Sequence, residues 1–166
     1  LTGWRGGDTF DHRKLLAMPA EQRDAQIAKW TASMKDHWSV ENGELVNDGN
    51  GPYATTKEEY GDIEMLIDYK TVAKADSGIY LRGSPQVQIW DTAKAPEGSG
   101  GLYNNQKNPS KPLKCADKPI GEWNSFRIKM IGNRVSVWLN GQLVVDNTVL
   151  ENYWDYSKPI YPSGQI

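Results

Sequence analysis

Residues 60–70, "YGDIEMLIDYK", alternate along the chain, with Ile63, Met65, Ile67 and Tyr69 on one face and Asp62, Glu64, Leu66 and Asp68 on the other. That period of two predicts a half-buried strand whose first set of side chains faces a core. "SGIYLRG" continues the pattern, with Ile79 and Leu81 inward and Tyr80 and Arg82 outward, and "QVQIWD" turns Val87 and Ile89 inward and Gln86, Gln88 and Trp90 outward. The intervening Gly83-Ser84-Pro85 reads as a tight turn, which makes the two strands neighbours. "NSFRIKMIG" and "RVSVWLNG" follow with Phe126, Ile128 and Met130, then Val135, Val137 and Leu139, at the same period; Gly132-Asn133 and Asn140-Gly141 are hairpin signals. Several antiparallel strands, each with one apolar face, predict an all-β sandwich.

One segment departs from this period. In "MPAEQRDAQIAKWTASMKDHW", Ile27, Trp30 and Met34 recur three and four residues apart behind Pro19, which suits the first position of a helix. A helical insertion near residues 20–35 is therefore expected, followed by the turn-rich "ENGELVNDGNGP". The Gly-, Asn- and Pro-rich run from Ala95 to Pro119 is too long for a hairpin turn and is expected to be a functional or covering loop.

Composition narrows the partners. The 166 residues carry 19 basic and 21 acidic side chains, a formal charge of -2, so neither nucleic acid nor an anionic membrane is an expected partner. No apolar run approaches the length of a membrane span. Cys115 is the single cysteine, which excludes an internal disulfide, and a Cys/His enzyme would have only His12 and His37 to draw on. His37, beside Trp38 after the helix, reads as a structural histidine. Seven Trp and eight Tyr against two Phe favour partly wet surfaces on which sugar C–H faces stack. If their strands adjoin, Glu64, Tyr80, Arg82, Gln86, Gln88 and Trp90 share one sheet surface, a hydrogen-bonding floor with stacking walls and a candidate ligand site.

The ordered set "LTGWRG", "WSVENGELV", "YGDIEMLIDYK", "SGIYLRG", "VQIWD", "GGLY", "GEWNSFRIKMIGNRVSVWLNGQLVVD" and "PSGQI" resembles the 3-keto-disaccharide hydrolase family over essentially the whole chain apart from the helical insert. The resemblance implies a single concanavalin-like jelly-roll sandwich over residues 1–166 with a sugar site on its concave sheet, and a secreted, periplasmic or outer-surface location. Relatives carry a strand before "LTGW" and, after "GQI", a further strand, a His-Gly element and a final strand. The first and last strands of the family are thus expected to be lacking here, to be supplied by a missing terminal segment or second fragment, and with them an active-site histidine.

The chemistry the resemblance implies follows from a ketone at C3 of a sugar, which acidifies the C2 hydrogen. A base removes that proton, the C1 aglycone leaves, and water adds to the resulting enone. Carried onto this sequence, Glu64 is the first candidate for acid or base work and Asp91 the second, Arg82 would hold the enolate oxygen, and Gln88 would orient hydroxyls, with Gln86 also among the substrate-binding candidates. Trp90 and Trp138 are the preferred stacking residues, Tyr80 lies on the same expected surface, and Trp4 and Arg5 fit a site wall by family position. Many relatives have a glutamate where Gln86 stands, a change that would weaken proton transfer or metal binding. No cofactor is required by the sequence; a divalent cation on Glu64, Asp91 and a histidine is an option that no ligand spacing demands. The rival readings are a non-catalytic glycan-binding module on the same fold, and a conventional glycosidase using Glu64 and Asp91 as its carboxyl pair.

Overall fold

The computed structural model describes residues 2–83 and 86–166. They fall into two compact units, one of residues up to Glu59 together with Gln165, the other of Tyr60–Gly164 together with Ile166. The fold is mostly β, with strands in several sheets and two helices. Ser84 and Pro85, the middle of the predicted turn, lie outside the described residues.

In the first unit, β1 (Trp4–Gly7) pairs antiparallel with β4 (Tyr53–Thr56), and β2 (Trp38–Glu41) with β3 (Glu44–Asn47). The β2–β3 hairpin turns on Asn42 and Gly43, both at positive φ, within the stretch read as turn-rich. A short helix, α1 (His12–Ala17), is opened by Asp11, whose carboxylate accepts from Arg13 N at 3.0 Å; no periodicity of its six residues announced it. The expected helix is α2 (Ala20–His37), with Pro19 one residue ahead of the first helical position. Its Met34 is buried. At Gly6 a Cβ would lie 2.2 Å from the Trp30 carbonyl, so β1 rests directly on the helix backbone, and Gly6 N donates to Thr31 Oγ1 at 3.1 Å.

The second unit holds the sandwich. Strands β5 (Ile63–Tyr69), β8 (Asn124–Ile131), β9 (Arg134–Leu139) and β10 (Gln142–Val149) form one antiparallel sheet in the order β10-β9-β8-β5. Strands β6 (Asp76–Tyr80) and β7 (Gln86–Trp90) form a second. Leu81, Val87 and Ile89 from the second sheet's side pack in one core with Phe126, Ile128, Met130, Val135, Val137 and Leu139 from the first. Each such fully buried aliphatic side chain contributes roughly 1.5–3 kcal/mol of transfer free energy. The Ala95–Pro119 run is a covering loop: Gly100 N donates to Gln88 O and Gln88 N to Gly101 O, which pairs the free edge of β7. A Cβ at Gly100 would meet Val144 Cγ2 at 2.7 Å, so only glycine lets the loop approach the core this closely.

Candidate functional site

The register of the β6–β7 hairpin decides which side chains share its outer face. Asp76 stands opposite Trp90, Gly78 opposite Gln88 and Tyr80 opposite Gln86, while Val87 and Ile89 turn into the core. Gln86 Nε2 donates to Gln88 Oε1, and Gln88 Nε2 donates to Asp76 Oδ1 at 2.9 Å, so the three side chains form one polar relay along the face. Gly78 leaves room for it, since a Cβ there would lie 2.7 Å from Gln86 Oε1. Gln88 is 1% exposed and bonded on both ends of its amide, which makes it the strut that fixes Gln86 and Asp76 rather than a group that meets ligand. Asp76 is exposed. Trp90 packs edge-on against the exposed Tyr103 at 5.2 Å and 84°, an aromatic wall beside the polar floor.

The expected single surface is corrected in one respect. Among the described residues β5 pairs with β8 and lies in the other sheet, so Glu64 does not share a face with Tyr80, Gln86, Gln88 and Trp90. Its exposed carboxylate accepts from Arg127 Nε on the outer face of the four-stranded sheet, where Trp138 also lies, with the Arg127 guanidinium 4.6 Å over its ring. A shallow depression of about 570 Å³ on this face is lined by Leu66, Asp68, Ser125, Arg127 and Trp138 among others. The outward register of Trp138 is as expected, but the sheet it faces from is not that of Trp90.

Arg82 is 3% exposed and sits at φ 55 just beyond β6. Its guanidinium donates to Gly61 O at 3.2 Å, Tyr161 O at 2.9 Å and Asp62 Oδ1 at 3.1 Å, so it clamps two loops where enolate binding had been expected of it. Its ion-pair partner is Asp62. The Asp91 carboxylate accepts from Lys74 N at 2.6 Å and Ala93 N at 2.9 Å, and these two backbone N–H groups, Lys74 first, hold it below its ordinary value. Ionised and committed on both oxygens, it organises the turn after β7 and makes a weak base. The carboxyl pair of a conventional glycosidase therefore has one member on each sheet's side, each already engaged.

Trp4 and Arg5 belong to the first unit, where Arg5 is 8% exposed and donates to Gly6 O at 2.8 Å. Burial lowers its pKa. His37 Nδ1 lies 2.9 Å from Asp48 Oδ2, the structural role expected of it. Among the described residues no group of three His, Cys, Asp or Glu is placed to hold a metal ion, and no helix is long and apolar enough to cross a membrane. Sequence reasoning missed Asp76, whose only signal was its even spacing from Gly78 and Tyr80 on β6, and Tyr103, which arrives from the covering loop.

The sequence profile of the 3-keto-alpha-glucoside-1,2-lyase-like domain matches residues 1–166. The chain belongs to this family of 3-keto-disaccharide hydrolase domains. Three solved structures from Parabacteroides distasonis ATCC 8503, described as candidate glycosyl hydrolases, share the fold of this family member. The first is 24% identical with a TM-score of 0.61, over 78% of this chain and 80% of that one. The second is 22% identical with a TM-score of 0.63, over 77% and 64%, and the third 20% identical with a TM-score of 0.60, over 77% and 74%. No curated protein matches the chain. Family membership makes this a carbohydrate-active protein of the glycosyl hydrolase-like kind.

Proposed function

We propose that this family member cleaves 3-keto-glycosides by elimination at C1 and C2 followed by hydration, on the outer face of the β6–β7 sheet. The observation that carries the reading is the family match over residues 1–166, and the relay of Asp76, Gln88 and Gln86 beside the Trp90–Tyr103 wall supports its placement. Asp76 replaces Glu64 as the base. Its carboxylate takes the C2 proton, the C–H electron pair becomes the C2–C3 double bond of an enolate, and collapse of that enolate expels the aglycone from C1, whose oxygen takes a proton from solvent as it leaves. Water then adds at C1 of the enone and C2 regains a proton. The Gln88 amide, donating to Asp76, fixes the direction of the base, and Gln86 reaches from the same relay to a sugar hydroxyl. Tyr80, opposite Gln86 in register, supplies a hydroxyl on the face for the C3 oxygen. Trp90 and Tyr103 stack on the C–H face of the ring.

The second reading, a glycan-binding module, draws on a specific observation: Glu64 and Asp91 are engaged elsewhere, which leaves Asp76 as the carboxylate of this face among the described residues. Product analysis separates the two. Matched glycosides, one set unmodified and one oxidised at C3, are incubated with the protein with and without a chelator. Release of aglycone from the keto set alone is the expected result; binding without release from either set sinks the elimination mechanism and leaves the module.

A further inference from the structure

The covering loop is tied down on both sides of Tyr103. Upstream, Gly100 and Gly101 bond to Gln88, and the fully buried Leu102 bridges to Val87. Downstream, Asn105 N donates to Leu102 O at 2.9 Å and closes a turn with Tyr103 and Asn104 at its centre. The Tyr103 side chain is 56% exposed and meets the Trp90 ring edge-on, so the backbone of this turn sets where the ring stands. The downstream tie comes from the segment after β10. The Glu151 carboxylate accepts from three successive backbone N–H groups, those of Gln106 at 3.0 Å, Lys107 at 2.8 Å and Asn108 at 2.6 Å, and from Asn108 Nδ2 at 2.8 Å. Glu151 N donates in turn to Asn105 Oδ1 at 3.0 Å, Asn105 Nδ2 to Val149 O at 2.8 Å, and Tyr156 Oη to Asn104 O at 2.8 Å. Burial pushes the Glu151 carboxyl up, but the bonds from Gln106, Asn108 and Lys107 outweigh it and hold the group below its ordinary value. A carboxylate accepts on both oxygens, whereas a glutamine of the same shape would turn an NH2 donor toward at least one of these N–H groups.

We infer that Glu151 is a positioning residue for the sugar face: through the Gln106–Asn108 backbone it holds the turn that stands Tyr103 against Trp90, and so sets affinity for the sugar ring without touching it. The inference rests on the assignment of that face to the sugar. The relay of Asp76, Gln88 and Gln86 is built from bonds among its own side chains, so loosening the clasp acts on binding and leaves the base aligned.

Two measurements on the whole chain test this. Limited trypsin digestion reads the clasp itself, because Lys107 is exposed and lies among the bonded N–H groups; Glu151→Gln is expected to speed cleavage after Lys107 by ~10-fold or more. A double-mutant cycle then reads its consequence for the sugar. Titration of a 3-keto-glycoside into Asp76→Asn protein, in which release is slowed, gives affinity, and release by protein with Asp76 intact gives KM and kcat. Tyr103→Ala and Glu151→Gln should each weaken binding and raise KM by ~3–10-fold, the range of one aromatic contact, with kcat within ~2-fold. With Tyr103→Ala already present, Glu151→Gln should add less than ~1.5-fold. Should Glu151→Gln fail to fold, Asn108→Asp, which sets a second carboxylate against Glu151, carries the same expectations. Equal losses with and without Tyr103, a fall in kcat at constant KM, or unchanged cleavage after Lys107 would overturn the assignment. Binding without release of aglycone would remove the elimination alone and leave this assignment to stand or fall on the titrations. No binding by the wild type would remove the face, and the assignment with it.

Discussion

The two outer faces of the sandwich carry similar residue types and differ in what holds them. On β6 and β7 the polar side chains bond to one another, from Gln86 through the buried Gln88 to Asp76, with an aromatic wall alongside. On the four-stranded sheet, Glu64 and Arg127 form an exposed pair, Arg127 covers Trp138, and Leu66 stands 76% exposed. A relay anchored by a buried amide holds its terminal carboxylate in one direction, whereas an exposed ion pair is screened and mobile. Preorganisation rather than composition separates a candidate site from a solvated surface.

The sharpest way to break this comparison is to remove one carboxylate from each face. Asp76→Asn is expected to lower the rate of aglycone release from a 3-keto-glycoside by ~100-fold or more while leaving the circular dichroism spectrum unchanged. Glu64→Gln should change the same rate less than ~2-fold, because its bond to Arg127 is exposed. The reverse ranking would return catalysis to the four-stranded sheet.

Arg82 tests whether a buried cation serves the site or the scaffold. Arg82→Met removes the guanidinium that donates to Asp62 and to the Gly61 and Tyr161 carbonyls, and a loss of about 2–3 kcal/mol in a urea melt is expected. The fraction that remains folded should keep its kcat within ~3-fold. A collapse of kcat at full stability would instead restore Arg82 to the enolate. Trp138→Ala should cost under about 1 kcal/mol through the lost contact with Arg127 and leave sugar affinity unchanged in titration. Weaker binding by that variant would make the back face a sugar platform.

The smallest effect is with pH. Folding holds the Asp91 carboxyl below its ordinary value of 3.8, through Lys74 N–H first and Ala93 N–H second. The stability it contributes is therefore present in full above that ordinary value and is lost as pH falls through the depressed one. Asp91→Asn should flatten this part of the acid-unfolding curve, and an unchanged curve would mean that the two backbone bonds do not favour the ionised form.

Much of the sandwich was legible in the residues because its signals are local. Period-two alternation identified β5, β8 and β9, and the Gly132-Asn133 and Asn140-Gly141 pairs marked their hairpins, since positive φ at Gly132, Asn140 and Gly141 selects such residues at the turn itself. The three- and four-residue spacing of Ile27, Trp30 and Met34 marked α2. Alternation also assigned Gln86, Gln88 and Trp90 to one face and Val87 and Ile89 to the core. The short helix α1 escaped because six residues are too few to establish a period, whereas the β2–β3 hairpin carried in Asn42-Gly43 the same turn signal as Asn140-Gly141, unread within a turn-rich stretch.

Which faces belong together was decided only in three dimensions. Strand order is set by pairings between distant segments, and a period-two pattern reads the same whichever neighbour a strand takes. Glu64 looked outward as expected, yet β5 joined β8, 63 residues on at the Glu64–Arg127 pair, rather than β6. Arg82 and Gln88 were polar residues at expected surface positions that folding buried, because the carbonyls of Gly61 and Tyr161 and the side chains of Asp76 and Gln86 supplied the hydrogen bonds that burial requires. Asp76 and the Trp90–Tyr103 wall became visible only once register and a covering loop had brought them to one face.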